Sequence, residues 1–228
     1  IMMSWVPNGL TSLNLVCGVL SIYYSFHQEF TISALLIIGS LVADRLDGKV
    51  ARALGISGDF GKELDSLCDG VSFGVAPAFL MYHYGNFEAI KWIGLTIVAI
   101  FSVCGVLRLA RFNTMVGEVK GYFLGMPIPT AGCLVATFVL SDIKLNVWYL
   151  AALMLVWGPL MVSTVKFPDF KGGSTYRYNK IALVIGGVVA LGLVFVSWKA
   201  IGFALFFSFM VFGVVNTLLG PFKNQQKE

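Results

Sequence analysis

The sequence predicts an all-α, polytopic membrane protein, a single integral bundle of about eight spans that takes up the whole chain, residues 1–228. Composition is the first reason: 57% of residues are hydrophobic, 12% are charged, and the mean hydropathy is +0.83. A soluble domain carries roughly 45–50% apolar and about 25% charged residues, so lipid is the main solvent here. Run length is the second reason. The apolar stretches are long and continuous, unlike the alternating segments of about ten residues in a β-barrel. No polar stretch is long enough to form an extramembrane domain.

Taken in order, the candidate spans are roughly 9–26, 31–54, 60–83, 90–112, 127–141, 146–165, 181–198 and 200–219. Residues 1–8 form an interfacial segment ahead of them, and 220–228 a polar tail. Pro7-Asn8 opens the first helix, and the polar stretch from His83 to Glu88 separates the third from the fourth. Met126-Pro127-Ile128-Pro129 starts the fifth, and Lys166 to Lys180 separates the sixth from the seventh. Placing the N-terminus in the cytoplasm puts 13 Lys and Arg on the cytoplasmic side and only Lys91, Lys144 and Lys199 on the other. That asymmetry obeys the positive-inside rule and expects a protein of the cell membrane with its N-terminus inside. Trp5, Trp92, Trp148 and Trp198 fall near span ends, as interfacial anchors do.

Several function classes drop out. The net charge of +4 sets orientation in a chain of this kind and is no nucleic-acid patch. Cys17, Cys68, Cys104 and Cys133 stand singly in apolar runs, without zinc or disulfide spacing. No basic segment precedes the first apolar run, so no cleavable signal peptide is expected. Gly70, Gly74 and Ala78 form a small-residue row suited to close helix packing within or between protomers, and a homodimer is expected.

The residues out of place in lipid are acidic. Asp44 and Asp47 are three apart, Asp65 and Asp69 four apart, so each pair shares one helix face near the same end of spans two and three. A short turn around Gly55 to Gly58 makes those spans antiparallel neighbours, and the four carboxylates can converge. Four close carboxylates repel, and keeping them ionised away from water costs several kcal/mol unless something positive compensates. Arg45, Lys49 and Lys62 are expected to point outward. Two divalent cations, Mg²⁺ or Mn²⁺, would balance the charge with hard oxygen ligands and would clamp phosphoryl oxygens. Gly48 and Gly61, one turn from Asp44 and Asp65, leave backbone bare for a bulky ligand, and Arg52 can fork onto a phosphate. The alternative is a buried ion-pair network with no ligand.

The stretch Asp44-x2-Asp47-Gly48-x2-Ala51-Arg52-x8-Gly61-x3-Asp65-x3-Asp69 resembles the signature of the CDP-alcohol phosphotransferases at every fixed position. The resemblance implies a six-helix core holding two metals, with two of the eight spans added to it. Members displace CMP from a CDP-linked lipid or alcohol with a second alcohol. By the same resemblance Asp44, Asp47, Asp65 and Asp69 are metal ligands, Asp69 also accepts the proton, and Gly48, Arg52 and Gly61 hold the CDP moiety. Pro7-Asn8 with Thr11 is similar to the family's N-terminal segment, which lies over the nucleotide, so Asn8 and Thr11 join the CDP-lipid set.

Residues 7–15, the run from Glu63 to Ala78 and Arg108-Leu109-Ala110-Arg111-Phe112-Asn113 resemble the bacterial and archaeal membrane-type members that use serine as acceptor. Pro127-Ile128-Pro129 is a weaker echo, and the C-terminal third reads as generic membrane helix. The implied substrates are CDP-diacylglycerol and L-serine. A serine carboxylate needs a cation, and Arg108 and Arg111, three apart on one face, can supply it, with Asn113 and the Lys166–Lys180 loop closing the pocket. Two arginines reaching for lipid headgroups are the alternative. Acceptors such as glycerol phosphate or inositol phosphate would want a denser basic pocket. An intramembrane prenyltransferase also uses paired Asp motifs, but Gly48, Ala51, Arg52 and the single short turn argue against it. A cation transporter would place its carboxylates at mid-bilayer. His27 and His83 belong at the face opposite the aspartates and are poor candidates for a base.

Overall fold

Eight helical segments lie where the eight apolar runs predict them, within a few residues at most ends. The computed structural model describes residues 5–55, 58–115, 122–168 and 179–219. Helix α1 spans Trp5–Phe26, α2 Phe30–Ala53 and α3 Asp59–Asp69. A π-helical segment, Gly70–Val75, joins α3 to α4 (Ala76–Tyr84), and α5 covers Trp92–Thr114. Then come α6 (Ile128–Leu140), α7 (Val147–Val162), α8 (Lys180–Val196) and α9 (Ile201–Leu218). The chain is an all-α polytopic bundle. By length and composition, Trp5–Phe26, Asp59–Tyr84, Trp92–Thr114 and Trp198–Leu218 are long and apolar enough to cross a membrane, and three further apolar helices are shorter.

Local chemistry explains several boundaries. Helix α2 ends at Ala53, and Gly55, two residues on with a φ of +66°, takes the left-handed position after the helix. Asn146 and Asn179 cap α7 and α8, each side chain accepting from the N–H two residues on, of Trp148 and Ile181. Proline at the first positions of α6 costs nothing, because those N–H groups have no partner inside the helix. Residues 5–8, expected ahead of the first span, form the first turn of α1.

Two features depart from the sequence reading. Span three is not one regular helix but α3, π-helix and α4 in series. Pro77 lacks the N–H that would bond to Phe73, and the ladder before it widens, with the Ala76 N–H donating to the Val71 carbonyl. The second is a short antiparallel ribbon, β1 (Tyr122–Leu124) with β2 (Lys166–Pro168), pairing Phe123 with Phe167 at its centre. Lys166 was expected at the start of a loop. Lys120, Lys171, Arg177, Lys223 and Lys227, most of the 166–180 loop and the tail lie outside the described residues.

Helix α6 is the centre of the bundle, buried without a break from Ala131 to Val139. Around it α1 lies along α2, α5 along α7 and α8 along α9. Phe138 sits edge-on to Trp157 and Phe203, and Gly132 lets the π segment in so closely that a Cβ there would be 2.9 Å from Phe73 Cα. The Gly70, Gly74, Ala78 row is buried inside the chain, with Gly74 facing α5 and Ile128, so it serves packing within the protomer. Trp5, Trp92, Trp148 and Trp198 are exposed at the starts of their helices or turns, amid a broad exposed apolar surface on α1, α5, α7 and α8. Lipid is the solvent that tolerates such a surface.

Candidate active site

Three helices converge at one end of the bundle, and each brings polar groups at helical spacing. Asp44 and Asp47 come from α2, Asp65 and Asp69 from α3. Thr11 and Asn14, three apart on one face of α1, point between them. Carboxylate oxygens of Asp44, Asp47 and Asp65 lie within 4.8 Å of one another. Asp47 accepts from Thr11 Oγ1 at 2.6 Å and is almost fully buried. Asp69, 6% exposed, stands apart from the triad, its Oδ1 accepting from Asn14 Nδ2 at 2.9 Å.

No ion-pair network holds the four aspartates among the described residues. Among the described residues the ion pairs are Lys62–Asp59 and Lys144–Asp142, both exposed, and none involves these four aspartates. Arg45, Lys49 and Lys62 are exposed. Asp65 Oδ1 is buried without a hydrogen-bond partner. Three converging carboxylates, one with an orphaned oxygen, suit a hard divalent cation, whose preferred ligands are carboxylate oxygens. The cluster can therefore hold a metal.

The residues expected to bind CDP show two close approaches. Arg52 lies over Gly48, with Nη1 3.3 Å from where a Cβ would stand, so the glycine leaves room for the guanidinium. Asn8 Oδ1 is 3.9 Å from the Cβ position of Gly61, across the α1–α3 junction. Thr11 is engaged with Asp47, which ties the N-terminal helix to the acidic cluster.

Arg108, Arg111 and Asn113 separate in role. Arg108 is 6% exposed, with its guanidinium 4.9 Å from the centre of the Phe112 ring. Its Nε is buried with no partner. Arg111 turns elsewhere, donating to the carbonyls of Val162 at 2.6 Å, Leu124 at 2.8 Å, Ser163 at 3.1 Å and Met161 at 3.2 Å. It clamps the end of α7 to β1, next to Gly125, whose φ is +73° and whose Cβ would collide with the Met161 carbonyl. Two arginines on one face at a helix end thus diverge, because α7 presents unpaired terminal carbonyls to the outer one. Asn113 Nδ2 donates to Ser66 Oγ at 3.0 Å, joining α5 to α3 beside Asp65. His83 lies at the far end, within reach of Ser25 and the Phe79 carbonyl.

Sequence reasoning missed Asn14. Its signal was available: a polar residue inside an apolar run, one turn beyond Thr11.

The family profile described as CDP-alcohol phosphatidyltransferase matches residues 4–165. The chain is similar to a CDP-diacylglycerol–serine O-phosphatidyltransferase of Helicobacter pylori, 34% identical over 220 residues, covering 93% of this chain and 90% of the relative. One of the same name from Methanocaldococcus jannaschii is 37% identical over 217 residues, covering 94% and 95%. An archaetidylserine synthase of Methanothermobacter thermautotrophicus is 37% identical over 175 residues, covering 75% and 73%. The likeness to the first two takes in most of the C-terminal third, which had read as generic membrane helix.

Proposed function

The chain belongs to the CDP-alcohol phosphatidyltransferase family, and from that premise we propose that it transfers the phosphatidyl group of CDP-diacylglycerol to the hydroxyl of L-serine, releasing CMP. The observation that carries the chemistry is the convergence of Asp44, Asp47 and Asp65 without an ion-pair partner among the described residues. The near full-length likeness to serine transferases carries the acceptor.

Asp44, Asp47, Asp65 and Asp69 would hold two divalent cations, Mg²⁺ or Mn²⁺, which supply Lewis-acid charge against the diphosphate. Arg52, over Gly48, forks onto a phosphate, while Asn8, Thr11 and Gly61 border the nucleotide. Arg108 pairs with the serine carboxylate through a guanidinium that is already desolvated and has one unpartnered nitrogen. Because Arg111 is committed to main-chain carbonyls, one buried arginine remains, which suits a carboxylate better than a phosphate acceptor. The serine oxygen bonds to the phosphorus that bears diacylglycerol, its proton passes to Asp69, and the P–O bond to CMP breaks with the electron pair leaving on CMP. The step is a direct displacement. Of the two hydroxyls at the cluster, Ser66 already accepts from Asn113, and Thr11 is held by Asp47 and the Pro7 carbonyl.

The protein works in the cell membrane, with eight spans, the aspartate end and N-terminus in the cytoplasm, and two copies forming a homodimer. Radiolabelled serine, glycerol phosphate and inositol phosphate, each offered with CDP-diacylglycerol to the purified protein in lipid, test the acceptor. Label should enter lipid from serine alone and only when the CDP-lipid is present. Transfer of either phosphate acceptor at the serine rate would refute the reading.

A further inference from the structure

Asn14 lies outside the aspartate motif, yet three elements meet on it. It is fully buried in α1. Its main-chain carbonyl accepts Ser40 Oγ of α2 at 3.1 Å and Ser72 Oγ of the π-helical segment at 2.9 Å. One turn further on, Gly18 lets the segment against α1, since a Cβ there would stand 2.8 Å from Ser72 Cα. The backbone of Asn14 is thus pinned to the same stretch of chain that carries Asp69. Its side chain then reaches Asp69 Oδ1 through Nδ2 at 2.9 Å. The other amide atom, Oδ1, is buried and makes no hydrogen bond. Nothing else therefore decides which way the amide faces: turned over, it would set an oxygen against the carboxylate, acceptor against acceptor.

A carboxylate can turn about its last bond and offer either oxygen, so a fixed donor on Oδ1, which leaves that oxygen a second lone pair for a cation, turns Oδ2 toward the acceptor. Resting on the reading of Asp69 as proton acceptor, we propose that Asn14 is a positioning residue, occupying Asp69 Oδ1 so that Oδ2 meets the incoming serine hydroxyl. The serine proton goes to Oδ2 as the serine oxygen bonds to phosphorus and CMP departs with its electron pair. Asn14 touches no substrate. It acts only through Asp69, and that separates it from a residue that merely holds α1 in place.

A double-mutant cycle with radiolabelled serine on the full chain in lipid tests this. Asn14→Leu, close in size but without a donor, should lower kcat on the order of 10–100-fold with both KM values within about twofold of wild type. In an Asp69→Asn background the same change should alter the residual rate by less than about twofold, since no proton acceptor remains to be oriented. An equal loss of kcat in both backgrounds, or a loss expressed through KM for CDP-diacylglycerol, would overturn the proposal. Melting temperature reports folding, and if Asn14→Leu does not fold, Asn14→Asp keeps the shape and enters the same cycle. Unfolding of both would assign Asn14 to the fold and overturn the proposal as well. Wild-type kcat in Asn14→Leu beside an inactive Asp69→Asn removes the role of Asn14 alone. Wild-type kcat in Asp69→Asn removes the proton-acceptor reading and the proposal with it.

Discussion

Arg108 and Arg111 differ in what surrounds them rather than in spacing. Arg108 is buried with an unpartnered nitrogen, whereas Arg111 spends its donors on four carbonyls. Arg108→Gln should raise KM for serine by the loss of one charge-assisted pair, about 1.5–3 kcal/mol or roughly 10–150-fold, with KM for CDP-diacylglycerol unchanged. Ethanolamine, which lacks the carboxylate, should abolish the difference between variant and wild type. Arg111→Gln should act on stability instead, leaving buried carbonyls unpaired at about 1–3 kcal/mol each, seen as a lower melting temperature in detergent with serine KM unmoved. A serine-specific KM effect in Arg111→Gln would return it to the pocket. At this scale the aspartates were legible, because an acid in an apolar run has few reasons to be there. The destination of Arg111 was not, since a long side chain at a helix end is directed by a partner more than 50 residues away, the Ser163 carbonyl, that no local pattern announces.

Among the helices, close approach at small residues sets the site's frame. Gly132 admits the π segment that follows Asp69, with Phe73 Cα 2.9 Å and Phe73 Cβ 3.0 Å from the Cβ position. Because backbone would have to yield, Gly132→Ala should destabilise by about 1–3 kcal/mol and lower turnover by displacing the chain next to Asp69. Gly187→Ala, where nothing lies within 4 Å of the Cβ position, should be neutral or slightly stabilising. Thermal melting of the two variants in one detergent checks the contrast, and equal stability would mean that this approach is not tight. The helices themselves were legible because apolar runs and their breaks, such as Pro127 and Asn146, are local signals. The π-helical segment was hidden in an uninterrupted apolar run whose one clue is Pro77. The three-residue strands β1 and β2 are held by pairing between distant segments, which no periodicity of three residues can disclose.

For the whole molecule, chemistry sits at one end and lipid surrounds the rest. Asp59, exposed at the start of α3, marks the aspartate end, and Lys144, exposed and over the ring of Tyr84, marks the other. With the aspartate end in the cytoplasm, a membrane-impermeant maleimide added to intact cells should label Lys144→Cys and spare Asp59→Cys, and inverted vesicles should reverse the pattern. The opposite labelling would overturn the orientation. The central claim is that this acidic cluster moves a phosphatidyl group from CDP to serine in one displacement. Its most direct measurement counts CMP released and phosphatidylserine formed by the reconstituted protein and by Asp44→Asn and Asp69→Asn. Wild type should give one CMP per lipid product, Asp44→Asn should lose both CDP-lipid binding and turnover, and Asp69→Asn should keep binding while turnover falls by a factor of about 10²–10⁴. Serine entering lipid without stoichiometric CMP, or Asp44→Asn turning over at the wild-type rate, would contradict the account.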